Sequence, residues 1–222
     1  VFLRRSLAAD STLNVDVIVQ KSAQSFYGDV GDYTAMRTSD VLVLLGYDKD
    51  AWSQSALDLA RERVRNGMGL LFIAGTDGTG WWQDLSGIDE LLPVKRRRSP
   101  FVEGPTALRR SSQGTGHPLV RSSVDQRGDP WNDLPPLTGY FPISQQRQGS
   151  LVLLESQRGV PIVVSGVYGN GKTLAALSHS FWRLDLFSSG SAGNPQIIRQ
   201  FWRNGVRWLA TSSSVGRIRT ST

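Results

Sequence analysis

Cysteine is absent from all 222 residues, which excludes disulfides, thiolate catalysis and Cys-ligated zinc. It leaves the redox compartment open, because a cysteine-free domain is at home in either. Histidine is nearly absent too, with His117 and His179 alone, so transition-metal ligands are scarce and no metal or cofactor is expected. Asp29, Asp32, Asp48 and Asp50 could gather a hard cation, but their spacing matches no calcium loop and they read as solvated loop charges. No run approaches the roughly 20 apolar residues a membrane helix needs. The opening residues VFLRRSLAAD lack the charged segment, apolar core and cleavage site of a signal peptide, and read as a chain entered partway. Lysine is sparse as well, at positions 21, 49, 95 and 172, so nearly all of the formal +6 charge is arginine. The dense run Lys95-Arg96-Arg97-Arg98 has no interleaved aromatics and sits in no recognisable nucleic-acid module. It reads as a solvated loop, and no specific nucleic-acid partner is expected.

What is present is a strong pattern of apolar runs and turns. In Gly67–Gly80, GMGLLFIAGTDGTG, the run Leu70–Ala74 is apolar on both faces, as an interior parallel strand requires, and Gly75 and Gly78 permit a sharp exit. Val41–Leu45 reads as another central strand emptying into Gly46-Tyr47-Asp48. Between these runs Ser53 opens a helix with Ala56, Leu57, Ala60 and Val64 on one face and Asn66-Gly67 at its end. Strand, helix and strand joined by short connections form the crossover unit of a doubly wound α/β fold. Ligand sites in such folds lie outside the carboxyl ends of the strands. Any site is therefore expected at Gly46–Asp48 and Gly75–Gly78.

The flanking segments are read in the same way. Phe2–Ala9 fits a helix ending near Asp10, Val15–Val19 a strand, and 20–38 a loop across the sheet end. Pro93–Gln148 is an irregular insertion with short strands. Ser150–Leu154 and Val160–Ser165 read as strands, and Tyr168–Lys172 followed by Leu174–Leu177 as the turn and return of a hairpin. Gly166–Thr173 matches a nucleotide-binding phosphate loop letter for letter. Such a loop must open a helix, however, whereas a strand-like run follows here and Asn170-Gly171 is a hairpin signal. Ile198, Phe201, Trp202, Val206 and Leu209 share one face of a helix over Ile197–Ala210. Residues 215–219 alternate like an edge strand, so 211–222 is read as a linker or the start of a following domain, with 1–210 one α/β domain.

Taken in order, several motifs resemble the class I glutamine amidotransferase-like domain of large bacterial membrane-anchored proteins, often found beside von Willebrand factor A modules. They are Phe2–Leu7, Asp40–Gly46, Gly67–Leu71, Leu91–Val94, Gly116–Leu119, Leu134–Leu137, Tyr168–Gly171 and Phe201–Ala210. The resemblance implies a three-layer α/β/α, flavodoxin-like, mostly parallel sheet, with both ends of the chain cut from a longer protein. It also implies a membrane-anchored, extracytoplasmic (periplasmic) setting. Its partners would be other domains of the same polypeptide or a membrane-protein complex, with a small polar ligand as a further candidate.

Amidotransfer needs a cysteine at the elbow, activated by a histidine, with backbone donors for the oxyanion. Here the elbow offers Thr76 and Asp77, and His179, in Ser178-His179-Ser180, matches the family's later catalytic strand end, with Trp182 and Asp185 beyond it. Without the thiol no glutaminase activity is expected. The candidate catalytic residues are Thr76, Asp77 and His179. The candidate ligand-binding residues are Tyr47, Asp48, Gly75, Thr76, Asp77, Gly78, Trp81 and Trp182. Trp81-Trp82 serves either as an aromatic platform or as a staple for the loop. His117, before Pro118, reads as a loop-fixing residue. The leading reading is a non-catalytic binding or scaffolding domain, a pseudoenzyme. The alternative is a hydrolase of the superfamily's sugar-utilisation branch using Asp77 and His179, and a third option is an arginine-rich nucleic-acid binder whose affinity falls steeply with salt.

Overall fold

The computed structural model describes residues 2–22, 25–27, 33–75, 84–121, 129–187 and 195–211. In chain order the elements are α1 (Phe2–Ala8), β1 (Val19–Ser22), β2 (Ser25–Tyr27), α2 (Thr34–Thr38), β3 (Val41–Leu45), α3 (Gln54–Arg65) and β4 (Gly69–Ile73). There follow β5 (Val94–Arg96), β6 (Val102–Thr106), β7 (Leu108–Arg110), β8 (Leu137–Tyr140), β9 (Ile143–Gln146) and β10 (Leu151–Ser156). The last are β11 (Pro161–Tyr168), β12 (Gly171–Ala176), α4 (Trp182–Phe187) and α5 (Pro195–Ala210).

Among the described residues the main sheet has the order β3-β4-β12-β11-β10-β7. It is mixed: β3, β4 and β12 pair in parallel, and β11, β10 and β7 continue by antiparallel pairing. β3, β4, β12 and β10 thus run in one direction, and β11 and β7 in the other. Strand β4 holds the interior parallel position that its unbroken apolar run demands, and all five of its residues are buried. Its side chains alternate between two cores. Leu71 and Ile73 pack with α1, α4 and α5, through Leu3, Leu7, Leu184, Ile198, Phe201, Trp202 and Leu209. Leu70 and Phe72 pack with Leu57, Ala60 and Val64 of α3 and with Met36 of α2. Helices therefore cover both faces of the sheet, as a three-layer α/β/α fold requires.

Local chemistry explains the central elements. The Ser53 hydroxyl accepts from the Ala56 N–H at 3.2 Å and so starts α3. Gly67, at φ 122°, releases the chain into β4. Tyr168 pairs with Gly171, leaving Gly169 and Asn170 as a two-residue turn with Gly169 at φ 59°, the first-position glycine a II′ turn asks for. Gly166 and Val167 lie inside β11 and Lys172 and Thr173 inside β12, so the phosphate-loop pattern belongs to a hairpin. The turn sits one residue earlier than Asn170-Gly171.

Other expectations are corrected. Val15–Val19 is not a strand of the sheet: only Val19 is in β1, which pairs with β2 in a separate ribbon, and Val17 and Ile18 stay about half exposed. In consequence β3, expected to be central, is the outermost strand on its side among the described residues, with Leu45 open to solvent. Residues 20–38 contain β2 and α2 rather than loop alone. Lys95 and Arg96 are not in a loop but in β5, paired with β9. The 93–148 segment forms the ribbons β5-β9 and β6-β8 and also supplies β7 to the main sheet. Residues 215–219 lie outside the described residues.

Candidate functional site

Because β3, β4 and β12 are parallel neighbours, their carboxyl ends leave the sheet on one rim. The Gly46 N–H donates to the Ile73 carbonyl at 2.9 Å, and the Ala74 N–H to the Ala176 carbonyl at 2.9 Å. These bonds bring Gly46–Asp48, Ala74–Gly75 and Leu177–His179 side by side, where the sequence places a site. Thr76, Asp77, Gly78, Trp81 and Trp82 lie outside the described residues.

Tyr47 faces inward. It is 1% exposed, and its hydroxyl donates to the Ser86 carbonyl at 2.7 Å. Burial, reinforced by the nearby Asp84 charge, pushes its phenol up to about 12. Asp48 has both carboxylate oxygens in use: Oδ1 accepts from the Asp50 N–H at 3.1 Å, capping a 3-10 turn over Lys49–Ala51, and Oδ2 accepts from Gln20 Nε2 at 3.0 Å. Beside it Lys49 and Asp84 form an ion pair at 2.7 Å. The Lys49 ammonium and the Ser86 donors hold the Asp84 carboxyl well below the usual carboxylate range.

On the other side of β4, the end of β12 is tied down by a serine relay. Ser178 Oγ donates to the Gly139 carbonyl at 2.7 Å and stands 2.9 Å from Ser180 Oγ, which accepts from the Thr138 N–H at 3.0 Å. The Phe141 N–H donates to the Leu177 carbonyl at 2.8 Å. His179, which opens a 3-10 turn over His179–Phe181, packs against Phe101, with ring centroids 4.5 Å apart, and Phe141, at 6.5 Å. The 93–148 segment therefore walls the rim, a contribution sequence reasoning missed. Asp48 and His179 are not brought together. They follow β3 and β12, strands on either side of β4 that lie about 10 Å apart by sheet spacing.

Trp182 is 37% exposed at the start of α4, beside Arg183 and Phe187. Asp185 is buried and pairs with Arg199 of α5 at 2.5 Å. His117 lies elsewhere. Its Nδ1 accepts from the Leu119 N–H at 3.3 Å and its ring meets Trp208 edge-on at 5.0 Å, so it secures its own loop. Burial, together with the Lys172 charge, lowers the pKa of His117. Among the described residues no cluster of three or more His, Cys, Asp or Glu could hold a metal ion.

No family model matches this chain, and no curated protein matches it. Solved structures do. A cytoplasmic protein of Salmonella typhimurium LT2 superposes with a TM-score of 0.62 at 21% identity, over 94% of this chain and 86% of that one. A second cytoplasmic protein of Salmonella typhimurium gives 0.61 at 20% identity, over 94% and 85%. A ThuA-like protein of Parabacteroides merdae gives 0.58 at 14% identity, over 100% and 86%. These findings correct the expected membrane-anchored, extracytoplasmic setting: both Salmonella proteins are described as cytoplasmic, and no helix among the described residues is long and apolar enough to cross a membrane. The chain shares, over nearly its whole length, the α/β fold of these three structures.

Proposed function

We propose that this chain is a non-catalytic binding domain, which takes a small polar ligand at the carboxyl rim of β3, β4 and β12 or docks other domains of its own polypeptide there. The observation that carries this reading is Asp48, whose two oxygens are spent on the Asp50 N–H and Gln20. A carboxylate so engaged organises backbone and is not poised to activate a nucleophile. The serine relay of Ser178 and Ser180 is likewise turned to holding Gly139 and Thr138. The absent thiol removes amidotransfer. Purified protein incubated with glutamine is expected to release no ammonia above a buffer blank, and measurable release would sink the reading.

A hydrolase using Asp77 and His179 is the second reading. It is favoured by the adjacency of β4 and β12, since His179 leaves the strand next to the one that leads toward Asp77. Turnover of chromogenic glycosides that disappears in His179→Ala would establish it over the first.

A further inference from the structure

Seven residues past the end of β12, a guanidinium has no acid partner among the described residues. Arg183 is half-buried on α4, and its Cζ lies 4.7 Å from the Phe187 ring centroid and 5.8 Å from that of Trp182. The two rings are 6.3 Å apart. Its Nε is shielded from solvent with no hydrogen-bond partner, and no carboxylate pairs with it among the described residues. The single acid of α4, Asp185, is turned inward to Arg199. Beside the guanidinium Trp182 and Phe187 are exposed, as is Leu186 on the same helix, an uncovered apolar margin.

Each part of this arrangement has a physical consequence. A partly desolvated cation without a counter-charge is unfavourable, and an anion relieves it. Aromatic faces hold a guanidinium in place through cation–π attraction, and leave its donor fork free for a carboxylate or phosphate. Arg183 comes four residues after His179, which leaves β12 at the rim where ligands of such sheets bind. Building on the rim-binding reading above, we propose that Arg183 anchors an anionic group of the ligand, a carboxylate or phosphate, with Trp182 and Phe187 covering the apolar part of the same molecule.

Titration calorimetry at fixed ionic strength, with citrate and with inorganic phosphate as probes, tests the assignment on the full chain. Saturable binding of either probe is expected. Arg183→Gln should weaken it about tenfold or more, and Arg183→Lys, which keeps the charge but loses the fork, should fall between. Arg158→Gln, an exposed arginine in the β10–β11 turn, should bind as the unaltered protein does. Saturation by citrate alone or by phosphate alone supports the anchor and names the group. Absence of saturable binding for both probes, or equal binding by Arg183→Gln and the parent, overturns it. If a neutral sugar such as glucose binds and is lost in His179→Ala but not in Arg183→Gln, the anion anchor fails while rim binding stands.

Discussion

Helix α4 has only six residues, too few to be stable alone, so its position depends on what fastens it. Beside the buried Leu184, one fastening is the Asp185–Arg199 pair. The Asp185 side chain is 3% exposed, that of Arg199 34%, and Arg199 Nε reaches Asp185 Oδ1 at 2.5 Å. Removing one partner of a buried pair costs about 3–5 kcal/mol, because a charge is left desolvated and unmatched. Water reaches a third of the Arg199 side chain and screens part of the interaction, which places Arg199→Met at the lower end, about 3 kcal/mol. For a chain of this size that corresponds to a melting point lowered by roughly 6–12 °C. Urea unfolding should show an earlier midpoint with an unchanged slope. Replacing both partners, Asp185→Leu with Arg199→Met, removes the stranded charge and should return stability to within about 1 kcal/mol of the parent. A loss below about 1 kcal/mol for Arg199→Met alone would refute the claim that this pair fastens α4.

Two further predictions concern the sheet and its rim. An alanine Cβ at Gly171 would lie 2.2 Å from the Val64 carbonyl oxygen, and one at Gly69 would lie 2.5 Å from that of Leu209. Both contacts are with backbone, so each substitution should destabilise by about 1–3 kcal/mol, whereas Gly116→Ala, with open space around it, should stay within about 0.5 kcal/mol by guanidinium midpoint. Tyr47 supplies a pH dependence at the alkaline end. Its folded pKa, raised to about 12, lies above the ordinary value, so its contribution is complete below pH 10 and is lost as pH rises toward 12. At 1.36 kcal/mol per unit this is on the order of 2–3 kcal/mol. Tyr47→Phe should cost about 1 kcal/mol at neutral pH for the bond to Ser86 and flatten the alkaline decline, and a decline parallel to the parent's would count against the assignment.

The elements that could be read from the chain are those whose side chains alone decide their surroundings. Leu70–Ile73 admits no polar face, so burial on both sides followed from composition. Ser53 and Asn66-Gly67 bracket α3 with its own capping chemistry, and the five apolar positions of α5 repeat at helical spacing. The failures are matters of partner choice. Nothing in Val15–Val19 says that β1 pairs with β2 and leaves β3 at the border, nor that β7 crosses from an irregular segment to join β10. At the site, the rim followed from strand direction. Its wall did not, because Phe101 and Phe141 reach His179 from far away in sequence. Arg183 was readable in principle, as a lone base inside the aromatic run Phe181–Phe187, but whether it had an acid partner depended on which way Asp185 turned.

The parallel pairing of β4 with β12 sets Leu70 opposite Thr173 and Ile73 opposite Ala176, across about a hundred intervening residues. On the ribosome, the N-terminal crossover is therefore complete long before the strand that fills its open flank is made. Throughout that interval one side of β4 offers unpaired amides along an apolar stretch of the nascent protein, a template for wrong partners. Fragments ending before residue 171 should accumulate as aggregates, and ones extending through β12 should not.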